Sequence, residues 1–126
     1  MKFFIDTNLP PQLANGLKGF GENVMHLTEK FAPETEDVVW LNYIGSQELI
    51  LVTRDERIRH NPFELKSLKE HKVGAFFLGG KNRKRCELIQ QIVRNWPRMK
   101  ELASKTDRPF AFRIPPAGSK IISIPL

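Results

Sequence analysis

Residues 49–53, Leu-Ile-Leu-Val-Thr, constrain the fold more than any other segment, because they are apolar without interruption up to the final threonine. A short apolar run that ends at charged residues is typical of a strand buried on both faces of a parallel sheet. Residues 2–5, 24–27 and 73–78 contain similar apolar runs. The sequence therefore predicts four short strands in the protein interior.

Helical patterns separate these strands. Leu9, Leu13 and Leu17 recur every four residues and follow a helical period, and Pro10 and Pro11 suit the first turn of that helix. Further apolar faces predict a second helix over 35–45, a third after Asn61 and a fourth from about 83 to 100, where Pro97 interrupts the pattern. This alternation predicts an α/β fold with three layers, α/β/α, around a parallel sheet of order 2-1-3-4.

Length and composition narrow the classes of protein. A chain of 126 residues fits one domain, 1–126, whose residues 110–126 we interpret as an ordered C-terminal extension forming a hairpin or an edge strand. The one cysteine excludes a disulfide framework and a cysteine-based zinc site. No apolar segment is long enough for a membrane span, and Asp6 interrupts the apolar N-terminus. We expect a cytoplasmic protein without membrane contact.

Three aspartates follow the predicted strands. Asp6 comes directly after the first strand, Asp55 comes two residues after Thr53, and Asp37 lies in the first turn of the helix after the second strand. Parallel strands all end at one edge of their sheet, and ligands bind there at the point where the strand order reverses. The sequence therefore predicts that Asp6, Asp37 and Asp55 form one acidic cluster.

Neighbouring carboxylates repel each other unless they bind a proton or a cation. Oxygen ligands favour Mg²⁺ or Mn²⁺, and such an ion polarises a phosphoryl group and activates water. We therefore predict that Asp6, Asp37 and Asp55 are metal ligands and catalytic residues for phosphodiester hydrolysis. The alternative for each is a structural role in a turn or a helix start, and Glu34 or Glu36 could replace Asp37.

Basic residues accompany this edge. The net charge is +6, and a Gly-Gly-Lys-Asn-Arg-Lys-Arg segment at 79–85 follows the fourth strand. Such charges suit a phosphate chain, although a solvated helix start is the alternative. The predicted substrate-binding residues are Asn8, Thr53, Arg57, Arg59, Lys81, Arg83 and Arg85. Single-stranded or looped RNA is the expected substrate, because a sheet-edge crevice admits a single strand more easily than a duplex.

These segments resemble a known family. Residues 4–10, FIDTNLP, resemble the opening of PIN-like domains, and residues 53–55 resemble their Thr-x-Asp signature at a strand end. Residues 31–40, which include Asp37, resemble the middle acidic site of a short branch related to VapC-type toxins. Residues 57–59 and the Arg-Ile-Pro-Pro segment at 113–116 are similar to that branch as well.

The resemblance implies a magnesium-dependent ribonuclease in which Asp6, Asp37 and Asp55 bind the metal. It also implies a toxin that a small antitoxin protein silences. Arg57 stands where many PIN-like domains have a further acid, which puts a two-metal arrangement in doubt. The alternatives are an inactive module that binds RNA or protein, and a phospho-acceptor receiver, although the latter would need paired acids after the first strand. The C-terminal tail is a candidate surface for a homodimer or for the antitoxin.

Overall fold

The computed structural model describes residues 1–126. Its central sheet contains β1 (Phe3–Ile5), β2 (Val24–His26), β3 (Ile50–Thr53), β4 (Gly74–Leu78), β5 (Phe110–Ile114) and β6 (Ile122–Ser123). The strands lie in the order β2-β1-β3-β4-β5-β6. All neighbouring strands are parallel except β6, which is antiparallel to β5. The predicted parallel sheet and the order of its first four strands are confirmed, and the C-terminal segment adds β5 and β6.

Helices cover both faces of the sheet. They are α1 (Pro11–Gly19), α2 (Asp37–Ser46), α3 (Arg57–His60), α4 (Pro62–Glu70) and α5 (Arg85–Lys105). Apolar side chains of α1 and α5 pack into one buried cluster, and those of α2, α3 and α4 pack into the other. The predicted α/β/α layering is confirmed. None of the helices has the length and apolar character needed to cross a membrane.

The two clusters explain why the strands are apolar without alternation. Phe3 and Ile5 of β1 belong to the cluster beneath α1 and α5, whereas Phe4 between them belongs to the cluster beneath α2 and α4. Successive side chains of a strand point to opposite faces, so both sets are buried only when both faces are covered. All three residues are almost completely shielded from solvent.

Helix α5 continues through Pro97 to Lys105, whereas the sequence pattern predicted an interruption at Pro97 and an end near residue 100. A proline inside a helix costs about 3 kcal/mol because it removes one hydrogen bond and crowds the preceding turn. Met99 and Ala103 extend the buried face of α5 beyond the proline, and burial of a large apolar side chain returns about 1.5–3 kcal/mol. Pro97 and Val93 both lie on the solvent side, where water can bond the freed carbonyl group. Packing thus outweighs the local signal.

Gly45 sets the distance between α2 and the end of α4. A Cβ atom at this position would lie 2.2 Å from the Cβ of His71 and 2.9 Å from its backbone oxygen. We predict that Gly45→Ala lowers the free energy of unfolding by about 1–3 kcal/mol, because the two segments must separate.

Gly16 in α1 is the matched control, because a Cβ there meets no atom within 4 Å. Gly16→Ala should stabilise the protein by about 0.5–1 kcal/mol through helix propensity. Urea unfolding measures both changes. Equal effects of the two substitutions would contradict the packing that the structure assigns to Gly45.

Candidate functional site

Asp6 is fixed by four hydrogen bonds at the carboxyl end of β1. Its Oδ1 accepts from the Thr7 backbone N–H at 2.6 Å and from the Thr7 hydroxyl at 3.2 Å. Its Oδ2 accepts from the Asn8 side-chain amide at 3.2 Å and from the Thr53 hydroxyl at 2.8 Å. The residue is only 5% exposed. Such bonds compensate a buried carboxylate for its lost hydration and hold it in one orientation.

Thr53 and Asn8 connect the loops that follow β1 and β3. The Thr53 hydroxyl accepts from the Asp55 backbone N–H at 3.0 Å and from the Asn8 amide at 3.1 Å. The Asn8 side-chain oxygen accepts from the backbone N–H of Arg54 at 3.1 Å. These bonds make both residues positioning residues for the acids, and their predicted contact with substrate stays a prediction.

Asp55 forms a two-pronged ion pair with Arg57. Its Oδ1 accepts from Arg57 Nε at 2.9 Å and its Oδ2 accepts from Arg57 Nη2 at 3.0 Å. The Arg57 backbone N–H also donates to Oδ1 at 3.0 Å. The Arg57 side chain is 88% exposed, so water and salt weaken the pair and other partners can replace it. Arg57 therefore neutralises the charge of Asp55 in this structure.

Asp37 begins α2 and faces the other two aspartates. Its Oδ1 accepts from the Trp40 indole N–H at 3.2 Å. Partial burial raises the pKa of Asp37 above its ordinary value, and the negative charges of Asp6 and Asp55 raise it further. Asp6, Asp37 and Asp55 therefore lie at one edge of the sheet, close enough for their charges to interact.

Glu64 is a fourth acid in the same place, and the sequence reasoning missed it. Burial, the charge of Asp37 and the contact between the two carboxyl groups raise the pKa of Glu64 to about 7. The Glu64 Oε2 atom is buried and has no hydrogen-bond partner. In the sequence, Glu64 only looks like an acid placed to suit a helix start, three residues after the Asn61 cap. Only the packing of α4 against this edge of the sheet brings Glu64 close to Asp37 and Asp55.

An open cleft runs between the starts of α2 and α4. Its volume is about 520 Å³. The lining combines four acids, one arginine, one asparagine and two apolar side chains, namely Glu36, Asp37, Val38, Asp55, Arg57, Asn61, Phe63 and Glu64. A ligand in this cleft would reach Asp37, Asp55 and Glu64, whereas Asp6 is not part of its lining.

The donor set fits a hard divalent cation in its chemistry. Four carboxylates face one region, two of them have raised pKa values, and one buried carboxylate oxygen has no partner. As the side chains stand, however, no group of three acidic, histidine or cysteine residues is arranged to hold one ion. Asp6 already accepts four hydrogen bonds, and both oxygens of Asp55 accept from Arg57. Binding would require Arg57 to leave Asp55 and the side chains to turn inward.

The predicted basic residues differ in their surroundings. Arg59 bonds Glu56 at 2.8 Å and the Pro125 carbonyl oxygen at 3.3 Å, which ties it to the C-terminal tail. Arg83 donates to the Pro116 carbonyl oxygen at 2.8 Å. Phosphate binding by either would require these bonds to be exchanged. Lys81 and Arg85 are exposed at the edge where β4 ends, and their predicted role in binding RNA stays a prediction.

Glu56 does not take the place of the missing acid. Its carboxylate bonds Arg59 and also accepts from Arg113 at 3.0 Å, and these two arginines lower its pKa although partial burial opposes them. The side chain thus connects α3 to β5, as expected for a residue that points away from the cleft. Glu64 instead adds the further carboxylate beside Asp55 and Asp37.

The raised pKa of Glu64 predicts a specific pH dependence of stability. Its carboxyl group binds a proton more tightly in the folded than in the unfolded protein, so folding is favoured below about pH 4.5 and loses that contribution as the pH rises through about 7. In metal-free buffer with chelator, Glu64→Gln should remove this loss. The difference in melting temperature between Glu64→Gln and the wild type should therefore increase by several degrees, in favour of the variant, as the pH rises from 5 to 8.

Glu70→Gln serves as the control, because Glu70 is an exposed acid at the other end of α4. It should leave the pH profile of the wild type unchanged. Parallel profiles for the wild type and Glu64→Gln, measured by thermal unfolding at several pH values, would contradict the placement of Glu64 among the aspartates.

Comparison with known proteins agrees with this arrangement. A search of curated proteins and a search of solved structures each found no match. Residues 1–80 match the family model described as a PIN like domain. The matched region contains β1 to β4 and the acids Asp6, Asp37, Asp55 and Glu64, and it covers more than half of the chain. The chain therefore belongs to the PIN-like domain family.

Proposed function

We propose that this protein is a metal-dependent endoribonuclease that uses Mg²⁺ or Mn²⁺. The observation that carries the proposal is the group of four carboxylates, Asp6, Asp37, Asp55 and Glu64, in which partial burial and mutual repulsion raise the pKa values of Asp37 and Glu64. Neighbouring carboxylates must bind a proton or a cation to relieve their repulsion, and such groups are concentrated at functional sites. Membership of the PIN-like family, whose members are often nucleases, supports the same conclusion.

Each acid has a distinct part in this proposal. Asp6, Asp37 and Asp55 would hold the ion, and Glu64 would add a fourth oxygen. A divalent ion held there would act as a Lewis acid and lower the pKa of bound water. Thr53 and Asn8 keep Asp6 oriented, and the proton that Glu64 shares with Asp37 would be released when positive charge arrives. Arg57, once free of Asp55, becomes available to a phosphate group.

RNA is the proposed substrate because the surrounding charge suits a polyanion. The chain carries a net charge of +6 although its cleft is acidic. Lys81 and Arg85 are exposed on the loop and helix start that follow β4, at the same edge of the sheet as the acids. Guanidinium and ammonium groups there would bind phosphates on either side of the one being cleaved.

Asp37→Asn is the most informative test of the proposal. The substitution removes a charge but keeps the shape of the side chain, and Asp37 accepts fewer hydrogen bonds than Asp6. We expect cleavage of a mixed single-stranded RNA pool in Mg²⁺ or Mn²⁺ to fall at least about a hundredfold, the scale on which groups that activate a nucleophile contribute. Asp6→Asn is less suitable, because it would place an amide against donors that now bond a carboxylate.

Glu70→Gln is again the matched control and should cleave like the wild type. Thermal unfolding of each variant checks that the fold is retained. Metal-dependent cleavage that survives in highly purified Asp37→Asn would contradict the assignment. Wild-type protein that cleaves no RNA at any concentration of Mg²⁺ or Mn²⁺ would do so as well.

An inactive module that binds RNA or protein is the second candidate. Two observations favour it: Arg57 occupies both oxygens of Asp55, and no three acids are grouped around one point. In that case RNA would bind without being cut, and metal would not change the affinity. The cleavage assay above separates the two candidates directly.

We also propose a toxin role with a small antitoxin protein as partner, acting in the cytoplasm. The support is the resemblance of residues 31–40, 57–59 and 113–116 to the VapC-related branch. A homodimer through the C-terminal tail belongs to the same proposal. Expression of the wild type should arrest bacterial growth, expression of Asp37→Asn should not, and a small protein from the adjacent reading frame should relieve the arrest. Arrest by both proteins alike would contradict this role.

A further inference from the structure

Phe63 is an aromatic side chain left in solvent at the acidic cleft. It lies in the first turn of α4, one residue before Glu64, and is 75% exposed. The Asn61 side chain caps this turn by accepting from the backbone N–H groups of Phe63 and Glu64. The backbone that carries the ring is therefore held firmly although the ring itself is free.

The ring does not stand alone. Val38, in the first turn of α2, lines the same cleft and is 41% exposed, and Arg57 lines it as well. An isolated exposed apolar residue needs no explanation, but here two apolar side chains and an exposed guanidinium group border the carboxylates of one cleft. The Phe63 ring can stack on a base, and the Arg57 guanidinium group can bind a phosphate beside the acids. Together these groups complement the base and the phosphate of a nucleotide.

We propose that Phe63 is the stacking platform for an unpaired base of the RNA substrate next to the phosphate held at the carboxylates. Base–aromatic stacking needs a free aromatic face and tolerates any base. Arg57, released from Asp55, would bind the phosphate of the stacked nucleotide. This inference rests on the proposed nuclease function and adds a residue that positions the substrate and selects among RNA structures.

The platform would make the enzyme select single-stranded RNA. In a duplex the bases are stacked on each other and their faces are inaccessible to a protein ring, whereas a loop or a single strand can turn a base outward. The cleft volume of about 520 Å³ lies within the range of sites that enclose small organic ligands. A turned-out base therefore has both space and a partner beside the acids.

Phe63→Ala tests the proposal through binding, without depending on cleavage. The probe is a short oligoadenylate that carries a fluorescent base analogue, with Ca²⁺ in place of Mg²⁺ to slow hydrolysis. Removal of the ring should weaken binding roughly 5- to 100-fold, the effect expected for loss of one stacked base, and should abolish the fluorescence change of the analogue. Phe63→Trp should keep both signals, and Phe63→Leu should behave like Phe63→Ala.

Phe20→Ala is the matched control. Phe20 is 80% exposed but follows the end of α1, at the opposite edge of the sheet, so its removal should leave binding unchanged. A paired duplex of the same sequence should bind weakly and lose nothing when Phe63 is replaced.

The outcomes separate this inference from the proposed function. If Phe63→Ala binds the oligonucleotide like the wild type while metal-dependent cleavage is present, the stacking inference fails and the nuclease proposal stands. Phe63 would then be left as a contact for a protein partner. If binding depends on Phe63 but no metal supports cleavage, the stacking inference holds and the nuclease proposal fails. Equal losses in Phe63→Ala and Phe20→Ala would overturn the inference too.

Discussion

Repulsion between carboxylates at one edge of a parallel sheet is the constraint on which the rest of this site depends. Asp6 is tied to the scaffold by Thr7, Asn8 and Thr53, so it cannot move away from its neighbours. Burial and the charges of the neighbouring acids raise the pKa values of Asp37 and Glu64. The solvent-exposed side chain of Arg57 neutralises part of this negative charge by pairing with Asp55. Because the pair is exposed, another partner can easily replace it. This concentration of negative charge is the basis of the proposed metal site.

The scaffold explains how residues far apart in the sequence meet. Strands β1 and β3 are neighbours, and both end at the edge where α2 and α4 begin, so two loops and two helix starts converge. The Thr53 hydroxyl connects the two loops by bonding Asp6, Asn8 and Asp55. Thr53, at the end of a buried strand, thus fixes the position of Asp6 relative to Asp55.

Much of this arrangement was predictable from the sequence, for identifiable reasons. Uninterrupted apolar strands indicate a sheet covered on both faces, and this fixes the edge to which Asp6 and Asp55 belong. Glu64 was not predictable, because an acid in a first helical turn is common and only tertiary packing brings it to Asp37. The uninterrupted course of α5 to Lys105, beyond the predicted end near residue 100, has a similar reason, since burial of Met99 and Ala103 outweighs the local preference at Pro97. The pairing of Arg57 with Asp55 depends on side-chain geometry that no pattern encodes.

The proposed function requires that Asp6, Asp37 and Asp55 share a divalent cation. Crystals soaked in Mn²⁺ and measured at a wavelength sensitive to manganese reveal whether they do. We expect an anomalous density peak bordered by Asp6, Asp37 and Asp55, with Arg57 displaced from Asp55. A saturating soak that leaves the cleft without such a peak, and the Arg57–Asp55 pair intact, would refute the proposed metal site.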